Sequence, residues 1–421
     1  MIYFTIAITF VGAIFIVWFV FVVLFAPGIP YHVETTVDAG SEHFVRVLES
    51  ACRATLRAGN RIDVFTNATS FYPAMIEAIR NARETINWEC YIFSRGDAAD
   101  MFTAALAERA RAGVRVTLVL DTFGSLGAYF SSSKTLKAAG CRVQHYRQPT
   151  WYGLARLNNR THRELLIVDG RVAFVGGAGV ADWWLKPMDG KPAWRDLMAR
   201  IEGPVVPDLQ GVFAENWLEC RGEILVGENT YKPRVLAGES AALVIKSSPS
   251  DRATVSRILF QALIEGARRR VSVSTPYFLP DQAFRRALIR TARRGVQITI
   301  LVPGAITDQN WLRLASRRVY GRLLESGVRI FEYQPGMTHV KTLLVDDLWA
   351  VIGSTNLDNR SFEHNDEVNV AARDVTIAAR LNTDFAADLE QSHEIHLRDW
   401  RHRPLWEKLV GSIAWILERQ Q

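Results

Sequence analysis

A motif that occurs twice constrains this chain more than any other feature. Residues 339–346 read His339-Val340-Lys341-Thr342-Leu343-Leu344-Val345-Asp346 and are followed by Gly353-Ser354-Thr355-Asn356. Residues 162–169 read His162-Arg163-Glu164-Leu165-Leu166-Ile167-Val168-Asp169 and are followed by Gly176-Gly177. The second copy starts 177 residues after the first and completes the pattern H-x-K-x-x-x-x-D; the first carries Glu164 in place of the lysine. A period of that length is too long for a solenoid and fits tandem duplication of one domain. A duplicated histidine motif in turn implies one active site assembled from two halves.

The surroundings repeat as well. Ile86 to Phe93 and Val271 to Phe278 both read as strands. Each is followed by a helical pattern that stops at glycine: Asp100, as N-cap, to Ala112 before Gly113, and Asp281, as N-cap, to Arg294 before Gly295. Strands Val114–Leu120 and Val296–Val302 come next, then helical segments 131–139 and 309–326 closed by Gly140 and Gly327. Strands alternating with helices predict α/β units around a largely parallel sheet. The 421 residues suffice for two ordinary domains. The predicted boundaries are 40–222 for the first, a polar, glycine-containing linker over 223–241, and 242–397 for the second.

The motif residues suit chemistry on a phosphodiester. Displacement at phosphorus needs a nucleophile, an acid for the leaving oxygen and positive charge around the phosphoryl group. Histidine serves as nucleophile through one nitrogen while a carboxylate fixes the other. In H-x-K the first and third positions share one face of a strand, which sets the imidazole of His339 beside the ammonium of Lys341. Glu367 is available to orient His339, and Asp196 to orient His162. Asp169 and Asp346 close the two motifs and are placed with them in the catalytic set. Ser354 and Asn356 have donors for phosphoryl oxygens. Tyr91 and Tyr277 occupy equivalent positions after an internal strand and are placed near the pocket. Trp183, Trp184 and Trp194 read first as core packing, with the lining of a lipid path as the alternative. The four cysteines form no C-x-x-C pair, so neither a zinc site nor a disulfide framework is expected.

These motifs resemble the phospholipase D superfamily and, within it, the bacterial cardiolipin synthases. The second half carries the resemblance in Thr275-Pro276-Tyr277-Phe278-Leu279-Pro280-Asp281, His339-x-Lys341, and Gly353 to Glu363 with Asn365, Glu367 and Asn369. The first half carries it in Glu89 to Phe93, Asp121 to Ser125, Trp194-Arg195-Asp196 and Glu202 to Val205. The similarity runs over roughly residues 45–400. It implies an α/β fold of two tandem phospholipase D-like domains related by a pseudo-twofold axis. It also implies a ping-pong reaction without metal or cofactor, through a covalent phosphohistidine, with the first histidine as nucleophile by family precedent. For the synthases it implies transfer of a phosphatidyl group to the hydroxyl of phosphatidylglycerol, with phosphatidylethanolamine as a further lipid to test.

The first half departs from the pattern. Glu164 replaces the lysine, and Gly177 and Gly179 stand where Ser354 and Asn356 stand in the second half. A carboxylate beside a poorly solvated phosphate repels it by roughly a few kcal/mol. Three readings stay open: Glu164 pairs with Arg160 or Arg163 and retunes the substrate, it contacts a hydroxyl or amine of a different acceptor, or the site is weak. Two rival functions follow: a phospholipase D-like enzyme hydrolysing or transferring another phosphodiester, and a weakly active lipid-binding protein.

Membrane features set the context. Residues 1–26 carry no charge, enough for a bilayer-spanning helix. A cleaved signal peptide would want a basic start and a small-residue cleavage site; the first basic residue is Arg46, and Phe25-Ala26-Pro27-Gly28 is a poor site. A retained anchor over 1–27 is therefore expected, in a bacterial-type inner membrane, single-pass, with a weak lean to a cytoplasmic catalytic part. At the other end, 398–421 forms an amphipathic segment in which Trp406, Leu409, Val410, Ile413, Ile416 and Leu417 follow helical spacing. It suits either a membrane interface or the protein's own core. The net charge of +6 mildly favours anionic partners, and the apolar ends favour lipid over nucleic acid.

Overall fold

The structure is a computed structural model that describes residues 31–129, 131–148, 158–249 and 254–416, together with Tyr3, 9–15, 17–18 and Ile29. The expected anchor over 1–27 lies largely outside the described residues. Those described there are helical, and Phe10, Val11, Ile14 and Trp18 among them are exposed. No helix among the described residues is long and apolar enough to cross a membrane.

The first half contributes strands β1 (Arg57–Thr66), β2 (Thr85–Cys90), β3 (Arg115–Asp121), β4 (Arg142–Tyr146), β5 (Arg160–Thr161), β6 (Leu165–Val168), β7 (Val172–Gly176) and β8 (Leu197–Glu202). The second contributes β9 (Ser240–Ser247), β10 (Arg270–Ser274), β11 (Phe278–Leu279), β12 (Gln297–Pro303), β13 (Arg329–Tyr333), β14 (Thr342–Val345), β15 (Trp349–Gly353), β16 (Leu357–Asp358), β17 (Asn365–Arg373) and β18 (Ser392–Glu394). From its edge inward the first half runs β4-β3-β2-β6-β7-β8-β1, and the second runs β18-β13-β12-β10-β14-β15-β17-β9, with β18 added antiparallel outside β13. Apart from β18 the two orders are the same, element for element. They meet where β1 pairs antiparallel with β9, so the duplicated halves share one continuous sheet.

The expectation of a largely parallel sheet needs correction. Only the outer three strands of each half, β2-β3-β4 and β10-β12-β13, run parallel, because helices connect them. The remaining pairs along the sheet are antiparallel. The histidine motif itself dictates this. Asp169 and Gly170 in one half, and Asp346 and Asp347 in the other, have positive φ angles of 51°, 59°, 52° and 59°. Two consecutive residues of that kind make the tight turn that folds β6 back on β7 and β14 back on β15.

Alternation along the strands sorts the core. Leu166 and Val168 face a cluster built with the first half's helices, and Leu343 and Val345 face the equivalent cluster of the second half. Leu165, Ile167, Leu344 and Ile352 point the other way, into a third cluster shared by both halves and covered by helix Val206–Arg221. The two halves thus meet through a common apolar layer, and the histidine motifs begin at its edge. Two helix boundaries differ in an instructive way. Asp281 caps helix Gln282–Arg293 through its side chain, as its position predicts, whereas Gly96, not Asp100, precedes helix Asp97–Arg111. Asp100 falls in the first turn, where an acid favours the helix dipole just as well.

Candidate active site

Backbone pairing crosses between the halves at both histidines. The amide of His162 donates to the carbonyl of Asp366 at 2.9 Å, and β5 runs parallel to the start of β17. The amide of His339 donates to the carbonyl of Arg195 at 2.7 Å, beside a bridge between Arg195 and Thr338. Each histidine is therefore laid alongside the other half's carboxylate. Nδ1 of His339 is 2.8 Å from Oδ2 of Asp196, and Nδ1 of His162 is 3.2 Å from the carboxylate of Glu367. The expected partners, Glu367 for His339 and Asp196 for His162, are exchanged. In both cases Nδ1 is engaged, so a neutral imidazole presents its Nε2 lone pair as the reactive atom.

Lys341 sits on His339. Its ammonium is 3.0 Å from Nδ1, 3.2 Å from Nε2 and 3.0 Å from the residue's own carbonyl oxygen. Burial lowers the pKa of Lys341 to about 8, against the attraction of Asp196, Glu367 and Glu164. Burial, aided by Lys341, also lowers the pKa of His339, while Asp196 pulls it back up. Burial thus favours a neutral His339 beside a readily lost ammonium charge. An arriving phosphodiester anion raises both pKa values, because a negative neighbour favours the protonated forms.

Glu164 does not face an arginine. Arg160 lies against Asp121 and over the ring of Phe123, and Arg163 is taken up elsewhere. Instead Oε1 of Glu164 accepts from the amides of Tyr91 at 3.1 Å and Ile92 at 3.3 Å. Burial raises this carboxyl to about 8, against the hydrogen bonds from Cys90, Ile92 and Tyr91 and the charge of Lys341. At neutral pH Glu164 is a withdrawn, protonated acid. The glycines beside it leave no vacancy. A Cβ on Gly177 would stand 2.9 Å from Oδ1 of Asp196 and 3.1 Å from Nζ of Lys341; one on Gly179 would stand 2.4 Å from the carbonyl of Ile92. Lys341 occupies the space that a side chain at 177 would need.

The other predicted residues take distinct places. Ser354 is committed to the protein: its hydroxyl donates to Glu367, and its carbonyl accepts from Nδ1 of His162 at 3.0 Å. In this arrangement its hydroxyl proton is directed to Glu367. Asn356 is buried, its amide N–H held by Ser361 and its Oδ1 unpartnered among the described residues. Tyr91 stands edge-on to His162 with ring centres 5.0 Å apart, and Tyr277 stands 6.5 Å from His339 with its hydroxyl donating to Asp308. Asp169 and Asp346 are not at the histidines. Asp169 accepts from the amides of Arg83, Glu84 and Thr85, and Asp346 from those of Arg268, Arg269 and Arg270. Seven residues of extended chain put them ~20 Å from the imidazoles, where they fix the start of β2 and β10.

Two contributors were not placed at the site by sequence. Trp184 donates from Nε1 to Oδ2 of Asp196 at 3.1 Å, and the rings of Trp184 and Trp194 lie 5.4 and 5.5 Å from His339. They wall the second histidine rather than only filling a core. Trp194 and Asp196 are two residues apart, hence on one face of an extended segment, and that spacing was the available signal. Behind His162 lies a buried ionic bed. Arg163 donates to Glu215 at 2.8 Å and stands 4.0 Å from both Glu89 and Asp366. Burial raises Glu89 to about 7, against Arg163 and the hydrogen bonds from Thr161 and Asn216. Among the described residues no group of histidine, cysteine, aspartate and glutamate side chains has the arrangement of a metal site.

Comparison with known proteins agrees with this geometry. The family model described as cardiolipin synthase, PLD-like domain, matches residues 75–187 and 260–389, one stretch in each half. Cardiolipin synthase A of Pseudomonas putida (strain GB-1) is 31% identical over 393 residues, covering 92% of this chain and 81% of that protein. Cardiolipin synthase of Alkalihalophilus pseudofirmus is 32% identical over 361 residues, covering 84% and 71%. Among solved structures, phosphatidylserine synthase of Haemophilus influenzae superposes with a TM-score of 0.67 at 14% identity, covering 90% of this chain and all of that one. Polyphosphate kinase of Porphyromonas gingivalis superposes with a TM-score of 0.56 at 12% identity, over 91% of this chain and 57% of that one. At such identities these two show the fold alone. By sequence, the chain belongs to the cardiolipin synthase family of phospholipase D-like phosphatidyltransferases.

Proposed function

We propose that this enzyme makes cardiolipin by moving a phosphatidyl group onto the hydroxyl of phosphatidylglycerol, through a phosphohistidine. The observation that carries the reading is the pair of imidazoles, each held at Nδ1 by a carboxylate of the other half. Nε2 of His162 attacks the phosphorus of the donor lipid, and the bond from phosphorus to the headgroup oxygen breaks. His339, protonated once the anionic substrate is bound, gives its proton to the leaving alkoxide. The acceptor hydroxyl then loses its proton to His339 and attacks phosphorus, and the bond to Nε2 of His162 breaks. Lys341 offsets phosphoryl charge throughout. With phosphatidylglycerol as both donor and acceptor, the products are cardiolipin and glycerol.

Membrane attachment through the charge-free N-terminal residues belongs to the same proposal, supported by the exposed apolar side chains of Phe10, Phe15 and Trp18. The test gives purified full-length protein phosphatidylglycerol, with and without phosphatidylethanolamine, and follows the products by mass spectrometry. Cardiolipin with stoichiometric glycerol supports the reading. Phosphatidic acid alone identifies a hydrolase, and no turnover that His339→Ala leaves unchanged identifies a lipid-binding protein.

A further inference from the structure

Away from the histidines, helix Gln282–Arg293 and helix Asn310–Leu324 border a groove of about 230 Å³ open to solvent. Its rim carries four guanidinium groups, Arg285 and Arg286 from the first helix and Arg318 and Arg322 from the second. Its apolar floor is lined by the half-buried Ile289, Val319 and Trp400 over the fully buried Leu323. The spacing explains the layout. Arg318 and Arg322 are one helical turn apart, as are Val319 and Leu323, so the second helix offers a basic row beside an apolar row. Among the described residues neither Arg286 nor Arg322 makes an ion pair, and no acidic side chain lines the groove. Helix Leu405–Ile416 packs on helix Asn310–Leu324, with Glu407 bonded to Arg317, and leaves Leu405, Trp406 and Leu409 60–80% exposed.

We propose that this face is a membrane-docking surface for anionic phospholipid: phosphate groups sit among the four arginines, an acyl chain lies on the apolar floor, and the outer side of helix Leu405–Ile416 enters the interface beside it. The charge decides the occupant. Several guanidinium groups over an apolar floor, next to exposed leucine and tryptophan, complement a surface that is anionic at its headgroups and apolar beneath. A neutral bilayer leaves Arg286 and Arg322 unmatched, and a soluble anion leaves the floor and the exposed helix uncovered. The surface also bears on the active site. Helix Asn310–Leu324 starts beside Asp308, which holds Tyr277 at the wall of His339, and reaches Arg322 about 20 Å further on. Docking along this helix would set the mouth of the site at a fixed distance from the lipid. The inference rests on the lipid-transfer reading only for the identity of its ligand.

A label read at Leu409 tests it. The full-length protein, carrying Leu409→Cys with an environment-sensitive fluorophore, is titrated with vesicles of phosphatidylglycerol or of phosphatidylcholine. The expected result is a blue shift with phosphatidylglycerol at about tenfold or more lower lipid concentration than with phosphatidylcholine, a preference lost in Arg286→Glu/Arg322→Glu. Equal shifts on both lipids, or a preference that survives the double substitution, would overturn the proposal. So would a shift produced by glycerol phosphate alone, or competition by an acidic peptide as effective as the vesicles. Turnover of monomeric short-chain phosphatidylglycerol is measured on the same double variant. It should stay within about twofold of the parent, since neither arginine touches the reacting groups; its loss in both proteins would instead count against the catalytic reading.

Discussion

The carboxylate of Asp196, from the first half, lies 2.8 Å from Nδ1 of His339 in the second, and Glu367 of the second half answers at His162 of the first. Neither half can therefore hold its own histidine in place. Separately folded halves would lack the orienting acid, so duplication here makes the two domains interdependent.

The first prediction follows from that exchange. Asp196→Asn and Glu367→Gln each keep the shape but remove the charge that fixes the tautomer and supports an imidazolium. Each should lower kcat by about 10²- to 10⁴-fold with a small change in KM. Asp169→Asn should leave kcat within about threefold and lower Tm instead, since that side chain accepts three backbone amides far from the reaction. Steady-state kinetics with a thermal melt of each variant separates the two behaviours.

The duplication was legible in the sequence because the motif, the flanking strands and the closing glycines recur at matching offsets; the strand order was not, because the tight turn at the end of each motif folds the inner strands antiparallel. The exchange of acids was not. Asp196 follows His162 by 34 residues and Glu367 follows His339 by 28, so each acid appears to serve the histidine of its own half. Only the passage of β5 beside β17, and of Thr338 beside Arg195, brings each acid to the opposite histidine. The same limit applies to Glu164. Its sequence position marks it as a substitute for a phosphate-binding cation, yet its direction is set by two amides from the end of β2, which the motif does not contain.

Glu164→Lys should therefore damage the protein rather than restore a lost function. The new ammonium cannot accept from Tyr91 and Ile92, and it would add a second buried cation near Lys341. A loss of about 3 kcal/mol or more in stability is expected, together with loss of turnover. Glu164→Gln keeps an accepting oxygen and should retain activity within about fivefold. The two also differ in pH dependence. Folding raises the Glu164 pKa from its ordinary 4.5 to about 8, so the folded state binds a proton that the unfolded chain releases. Stability from this group is full below about 4.5 and falls as pH rises toward 8. Glutamine removes that slope, and chemical denaturation at several pH values reads it directly.

Gly177→Ser places in the first half the residue that the second half carries at 354. Its Cβ would meet Oδ1 of Asp196 at 2.9 Å and Nζ of Lys341 at 3.1 Å. The Asp196 carboxylate that holds Nδ1 of His339 must shift and the ammonium must give by a few tenths of an ångström, and overpacking of this kind costs about 1–3 kcal/mol. The expected outcome is a fall in kcat of about tenfold or more. An unchanged or faster enzyme would mean that Asp196 and Lys341 do not need their present positions.

The dependence of kcat/KM on pH should have a descending limb near 8. Lys341 is charged below about 8 and neutral above it, while Glu164 is neutral below about 8 and anionic above it. Both changes disfavour an anionic phosphodiester, so they act in the same direction. In Glu164→Gln only the lysine remains. That lysine also loses the attraction that helped it keep its proton, and the limb should move to lower pH. Rates on monomeric short-chain phosphatidylglycerol, taken from about pH 6 to pH 10, decide this; a flat profile would remove Lys341 from phosphate binding.

The division of labour between the imidazoles can be read with a donor whose leaving group needs no acid. With a p-nitrophenyl phosphatidyl ester, the first step requires only the nucleophile, while the second still requires a base for the acceptor hydroxyl. His339→Ala should then give a burst of nitrophenolate equal to the enzyme concentration and stall. A phosphatidyl adduct should be found on the peptide containing His162 after alkaline quench and mass spectrometry. His162→Ala should give neither burst nor adduct. An adduct on His339 in that variant would reverse the assignment. The reversed order has a physical argument of its own, since burial and Lys341 hold His339 in the neutral form that attacks. What favours His162 is that the bound phosphodiester restores the His339 proton next to Lys341, so that the acid forms only when there is a leaving group to receive it.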